Sequence, residues 1–274
     1  MHRDPDIRRQ TNGQGVLALV AGIAVLSCTV AMQARADEEP GRLTFNAGAF
    51  SQYIFRGLTQ TNRRPALQAG ADYASRTGLY VGTWLSNISW VSDTNPGAKS
   101  PLEWDLYAGY RRSLSSSVGV DVGILRYAYP GWHGAPALGG ASPNMTEAFV
   151  AVTWNAVSLK YAHAVTNTNG IEHSVGSSYL DFSVNVPLGP TVNGLVHVGR
   201  QTVRGQNDLT ESLGTTNAAL YTYHDFSAGL SARVTQSSSV SVVYTRTTAK
   251  DAGYLVQNRN LGSPHLALGL VCNF

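Results

Sequence analysis

From Leu102 onward the chain alternates. Leu102, Trp104, Leu106, Ala108 and Tyr110 share one face, and Glu103, Asp105, Tyr107, Gly109 and Arg111 share the other. A period of two marks a strand with one apolar and one polar side. The pattern returns in Val118, Val120, Val122 and Ile124 against Gly119, Asp121 and Gly123, and in Leu180, Phe182, Val184 and Val186 against Tyr179, Asp181, Ser183 and Asn185. It returns again in Phe226, Ala228, Leu230 and Ala232 against Asp225, Ser227, Gly229, Ser231 and Arg233, and in Val240, Val242 and Tyr244. Segments of this kind predict twelve strands, over 43–55, 66–74, 79–91, 102–112, 117–128, 145–154, 157–165, 178–186, 192–202, 223–233, 239–248 and 264–274. The first changes phase near Phe50, which predicts a bulge or a shifted boundary there.

The connections between these segments sort by length. Turns of 4, 4, 2, 5 and 5 residues alternate strictly with loops of 10, 10, 16, 12, 20 and 15 residues. An even strand number with short turns at one rim and long loops at the other predicts an all-β, transmembrane, up-and-down antiparallel β-barrel of about twelve strands, with turns and termini on the periplasmic side. Alternation alone also suits a β-sandwich, whose apolar faces meet in a core. The last segment favours the barrel: Leu266, Leu268, Leu270, Cys272 and Phe274 lie on one face and the chain ends on the aromatic. The spacing Gly269-x-x-Cys272-x-Phe274 resembles the C-terminal signal read by the outer-membrane assembly machinery, although Ala267 stands where that signal usually has a polar residue.

The first 36 residues read as a cleaved secretory signal, leaving 37–274 for the barrel. Arg3, Arg8 and Arg9 precede an apolar run from Val16 to Leu26, and Ala34-Arg35-Ala36 supplies small residues where a signal peptidase cuts. Removing that segment changes the charge picture, because the net +3 of the whole chain falls to +1, with 16 basic and 15 acidic residues remaining. No basic run survives to suggest a nucleic-acid partner. Cys28 leaves with the signal, so Cys272 has no intramolecular disulfide partner. A mean hydropathy of -0.10 with one long apolar stretch excludes a polytopic helical membrane protein, which needs repeated runs of about 20 apolar residues.

Four segments carry a family resemblance. Ser51-Gln52-Tyr53-Ile54-Phe55-Arg56-Gly57 with Thr59-Gln60-Thr61, then Gly78-Leu79-Tyr80-Val81-Gly82-Thr83-Trp84, then Arg126-Tyr127-Ala128-Tyr129-Pro130-Gly131, and Thr146-Glu147 resemble the proteobacterial porins labelled the TorF family. The resemblance spans most of the mature chain and implies an outer-membrane barrel of porin type. It also implies a shared role for Arg56 and Arg126, which stand where the family's motifs have arginine. Read from chemistry alone, the two arginines instead anchor strand ends near lipopolysaccharide or pair with carboxylates.

The polar face is the surface on which function is expected. Glu103, Asp105, Asp121, Glu147, Asp181 and Asp225 point into the lumen, opposed by Arg111, Lys160 and Arg233. That balance predicts either a hydrated, mildly cation-favouring channel or a lumen closed by its own ion pairs, and the intervening Gly and Ser favour open space. Loops 129–144 and 203–222 are candidates for a constriction. No catalytic, cofactor or metal site is expected: the mature histidines lack metal spacing, His133 reads as a loop residue, and nucleotide and hydrolase motifs are missing. His163 beside a serine of a neighbouring strand leaves open an enzyme acting on lipid, and a structural or surface-interaction barrel is the third reading. The expectation is a non-enzymatic outer-membrane channel for passive diffusion of small hydrophilic solutes or ions. Its partners are membrane lipid and, during insertion, the barrel-assembly machinery.

Overall fold

A computed structural model describes residues 41–95, 97–132 and 141–274; the expected signal sequence, His133 and part of loop 129–144 lie outside them. Twelve antiparallel strands close into one barrel: β1 (Arg42–Phe50), β4 (Ala66–Ala74), β5 (Leu79–Asn87), β6 (Leu102–Ser113), β7 (Val118–Ala128), β8 (Met145–Trp154), β9 (Val157–Ala164), β10 (Ser178–Pro187), β11 (Val192–Thr202), β12 (Tyr223–Arg233), β13 (Ser238–Thr247) and β16 (His265–Asn273). Each strand pairs with its sequence neighbours, and β16 returns to β1 to close the sheet. The remaining short strands are two-residue ladders in loops: β2 (Ile54–Phe55) with β3 (Leu58–Thr59), and β14 (Leu255–Val256) with β15 (Arg259–Asn260).

The alternation sets which side is which. Leu106 is 43% exposed, Val122 45%, Phe182 43% and Leu268 54%, while Glu103, Asp105, Glu147, Asp181 and Asp225 are each 2% exposed or less. The apolar side chains therefore face outward and the polar ones inward. This is the reverse of a soluble barrel, whose apolar side chains fill the interior, and it is the arrangement that a hydrocarbon exterior rewards. Every backbone hydrogen bond of the wall is made between strands, with no open edge, which is what a bilayer requires. The seven carboxylates on barrel strands, the six expected plus Asp72, all occupy inward positions.

Strand lengths and connections follow the expected scheme, with turns of 2 to 4 residues at one rim and longer loops at the other. Two elements differ from expectation. The first strand ends at Phe50 rather than running to residue 55, and the apolar run Tyr53-Ile54-Phe55 turns into the barrel instead of continuing the wall. Similarly β5 stops at Asn87 rather than residue 91, and Trp90 and Val91 open a short helix, Trp90–Thr94. In both places apolar residues that match a strand pattern are buried against interior aromatics, so tertiary packing decides against local propensity.

The closing strand holds the residues read as an assembly signal. Gly269 lies inward opposite Phe50, whose ring fills the space a side chain at 269 would take. Cys272 pairs with Ser238, its Sγ 3.3 Å from the serine Oγ. Phe274 exchanges backbone hydrogen bonds with Phe45 of β1, at 3.1 and 2.8 Å, and leaves its ring 68% exposed on the outside.

Candidate functional site

The interior is organised around a hairpin. After Phe50 the chain is pinned to β16 by Ser51, whose N–H donates to the Leu268 carbonyl (2.9 Å) and whose Oγ accepts from the Leu268 N–H (2.9 Å). It then folds into the lumen as β2 and β3, joined by Arg56 (φ 47) and Gly57 (φ 79). Two positive φ values at a two-residue tip favour glycine. At Gly57 space demands it too, since a Cβ would lie 2.6 Å from the Asp225 Cβ and against the Thr247 methyl. Arg56 adopts left-handed backbone at a cost of roughly 1–2 kcal/mol, and its side chain supplies the compensation.

The Arg56 guanidinium meets Glu147 in a two-pronged pair, at 3.0 Å to Oε1 and 2.7 Å to Oε2, with both side chains buried. It also donates to Gln201 Oε1 at 2.9 Å and lies 4.2 Å from the centre of the Tyr179 ring and 4.8 Å from that of Phe55. Tyr127 donates its hydroxyl to Glu147 (3.2 Å), and Tyr223 donates to the Arg56 carbonyl (2.9 Å). A buried ion pair is stable only when its remaining hydrogen-bonding capacity is met, and here both partners are surrounded by donors, acceptors and ring faces. Tyr53 adds a hydroxyl bond to Glu103 (3.1 Å) and an edge contact with Trp84 at 5.4 Å. The four motif segments of the sequence thus meet at one place: Tyr53 and Arg56 from the first, Trp84 from the second, Tyr127 from the third and Glu147 from the fourth.

The other charged residues expected in the lumen occupy inward positions with varied partners. Arg111 and Asp121 pair at 2.9 Å, and Tyr80 donates to the same carboxylate at 2.7 Å. Asp181 accepts from Ser183 at 2.6 Å and faces His197 Nδ1 at 3.5 Å, while Asp225 faces His197 Nε2 at 2.8 Å and accepts from Tyr179. Lys160 lies 4.2 Å from the Phe149 ring centre, and Asp105 is fully buried. Arg233 sits near the short-turn rim and donates to the Pro190 carbonyl at 3.1 Å.

Arg126 behaves differently from Arg56. It shares the outward face of β7 with Val122 and Ile124, close to the long-loop rim, and donates to Thr146 Oγ1 at 2.9 Å. The two chemical readings of these arginines divide between them, Arg56 pairing with a carboxylate and Arg126 standing at an outer strand end. His163 shares the outward face of β9 with Tyr161, the rings 6.4 Å apart, and stands opposite Ser178 in register.

Sequence reasoning missed Asp72, His197, Gln201 and the interior tyrosines. It also took inward glycines as open space, and the structure corrects that. Tyr80 pairs with Gly109, Tyr107 with Gly82, Phe149 with Gly123 and Phe50 with Gly269, and each ring lies over the bare glycine of the next strand. Glycine there makes room for a flat aromatic on the wall, the pairing known as aromatic rescue. Tyr107 then reaches Asp72 at 2.5 Å. Tyr107 and Tyr179 already stood on the polar face of their strands, and that was the available signal.

The arrangement around His197 superficially resembles a hydrolytic set, with Ser183 Oγ 3.0 Å from Nδ1 and Asp225 on the other nitrogen. The Ser183 hydroxyl, however, donates to Asp181 at 2.6 Å, so its proton is directed away from the ring, and a carboxylate faces each ring nitrogen.

Above the hairpin, at the long-loop mouth, a cavity of about 200 Å³ opens between loops, lined by Phe55, Trp90, Trp132, Tyr221, Tyr223 and Tyr254 among others. Loop 203–222, a candidate for a constriction, folds into two short helices, Asp208–Ser212 and Asn217–Tyr221, whose Leu209 and Tyr221 line this vestibule. Below it the Arg56 hairpin is folded into the lumen, with Tyr53, Ile54, Phe55, Arg56 and Leu58 all buried.

Comparison with solved structures places this architecture among outer-membrane porins. A KdgM porin superposes with a TM-score of 0.51 at 9% identity, covering 84% of this chain and 99% of that one. A KdgM porin in complex with disordered oligogalacturonate gives 0.50, also at 9% identity and with the same coverage. The NanC porin gives 0.49 at 10% identity, covering 85% and 99%. At this identity the likeness concerns the fold, and the fold is that of an outer-membrane barrel. No curated protein matches the chain by sequence. Residues 34–268 match the family described as bacterial protein of unknown function (Gcw_chp), and the chain belongs to that family.

Proposed function

We propose that the protein is a porin-like, non-enzymatic channel of the outer membrane that passes small hydrophilic solutes by diffusion, with a mild preference for cations. The observation that carries the reading is the inverted barrel: an apolar exterior band around an interior of carboxylates, arginines and tyrosine hydroxyls. A polar interior of this kind suits water or polar solute in part of the lumen. On this reading Glu103, Asp105, Arg111, Asp121, Glu147, Lys160, Asp181, Asp225 and Arg233 line the pathway, and the aromatic vestibule is its outer mouth. Residues 1–36 direct export, and Gly269, Cys272 and Phe274 present the last strand to the assembly machinery. The TorF resemblance supports the same reading, because its motif residues converge on the Arg56 hairpin inside the lumen.

A specific observation favours a second reading, a barrel closed at rest. The hairpin is tied by a buried ion pair and fills the upper lumen. Planar-bilayer recording separates the two. Conductance of folded wild-type protein, with reversal potentials on the cation side, supports an open channel. Silence in the wild type with openings after the hairpin is released supports the closed one.

A further inference from the structure

The outer wall carries charge of one sign. Among the described residues of the twelve barrel strands, the charged side chains at outward positions are Arg112, Arg126, Arg200 and Arg246, and no carboxylate faces outward. Arg112 is at the short-turn end of β6, whereas the other three are within three residues of the long-loop rim. Three basic groups gather on adjacent strands. Arg200 of β11 stands directly opposite His224 of β12, and Arg246 of β13 stands opposite Phe226, one diagonal step from His224. Directly opposed side chains have Cβ atoms about 4.5–5.5 Å apart and diagonal ones about 7–8 Å, so the imidazole stands between two guanidinium groups within reach of one small ligand. All three are exposed, and neither arginine side chain has an ion-pair or hydrogen-bond partner among the described residues. Immediately below them lie Val198, Phe226 and Tyr244, 40%, 45% and 48% exposed on the lipid-facing band.

We infer that Arg200, His224 and Arg246 form a binding site for a phosphorylated lipid headgroup of the outer leaflet, with the lipid's acyl chains resting on Val198, Phe226 and Tyr244. The inference rests on the membrane-barrel reading but not on conductance. Two guanidinium forks and an imidazole at the level of the headgroups match a phosphate in charge and hydrogen-bond geometry. An anion between them also offsets two guanidinium charges that no carboxylate on the described outer wall balances. The apolar surface beneath makes the site suited to a phosphate joined to hydrocarbon rather than to a free ion. Arg126, already bonded to Thr146, lies on the far side of the wall and is not part of it.

The test is native mass spectrometry of the folded barrel in detergent, titrated with bis-phosphorylated lipid A, with the same lipid after phosphatase treatment, and with inorganic phosphate. The wild type is expected to hold the phosphorylated lipid at least about tenfold more tightly than the dephosphorylated one, and inorganic phosphate at equal concentration should not displace it. The double variant Arg200→Gln, Arg246→Gln should lose that preference while still migrating as a heat-modifiable barrel, and Arg112→Gln at the opposite rim should keep it. Equal affinity for the two lipids overturns the site, and this comparison uses only the wild type, so it stands even if a variant fails to fold. Displacement by free phosphate, or retention of the preference in the double variant, overturns it as well. Lack of conductance in the same preparation bears on the channel and not on this site.

Discussion

At the scale of single residues, the Arg56–Glu147 pair is the interaction with the largest consequence. Removing one partner of a buried pair costs about 3–5 kcal/mol, because the remaining charge is left in a poorly solvating site. Here that cost falls on the docking of the hairpin, since the barrel wall is held by ladders that do not involve it. Glu147→Gln should therefore release the hairpin at a lower temperature than the global unfolding of the barrel, seen as a separate early transition in the melting of the purified protein. A single unshifted transition would show that the pair does not hold the hairpin. Gly57→Val should act the same way through sterics, by pushing against Asp225 and Thr247. The inward direction of Glu147 and of the other expected carboxylates was legible in the sequence, because the period of two assigns faces without knowledge of partners. The partners were not legible. Arg56 is 91 residues from Glu147 and 145 from Gln201, and nothing in the local pattern tells a strand end from a segment folding inward when both are apolar.

At the scale of elements, the face assignment makes neighbouring residues respond differently. Val122 is 45% exposed on the lipid side, and Val122→Arg should cost about 2–4 kcal/mol near the midplane. Asp121→Asn, one residue away, keeps its bond from Tyr80 and weakens a partly exposed pair with Arg111, so about 1 kcal/mol is expected. Urea titrations of folding into lipid vesicles measure both, and equal losses would contradict the orientation of β7. Deleting Phe274 removes two backbone hydrogen bonds that join β16 to β1 and should slow closure, leaving more unfolded protein in a timed insertion assay. Insertion at the wild-type rate would remove the terminal residue from the assembly signal. Ten of the twelve strands were legible to within a residue or two, because each combines strict alternation with a turn. The two overextended ones, first and third, end where apolar residues leave the wall for the interior cluster of Tyr53, Phe55, Ile88 and Val91.

At the scale of the whole molecule, the separation of charge is the organising feature: on the described barrel strands every carboxylate lies inside, and the charged side chains at outward positions are arginines. The inner carboxylates should raise the local concentration of cations when water enters the lumen, and the effect should fade as salt shortens the screening length from about 10 Å at 0.1 M to about 3 Å at 1 M. Replacing Glu103 and Asp105 with their amides should move the reversal potential in a salt gradient toward zero without loss of the folded barrel. An unchanged potential would place the selecting charges elsewhere. The inverted barrel could be inferred from the sequence because its wall repeats one simple rule. The interior hairpin could not, since it obeys the same rule for a few residues and then breaks it. The most direct test of the account is the single-channel conductance of the wild type beside Arg56→Ala, each folded and reconstituted in planar bilayers. The account predicts small, cation-preferring or rare openings for the wild type and a severalfold larger conductance once the hairpin is untied. Silence from both folded proteins, or identical conductance in the two, would contradict a channel governed by the Arg56 hairpin.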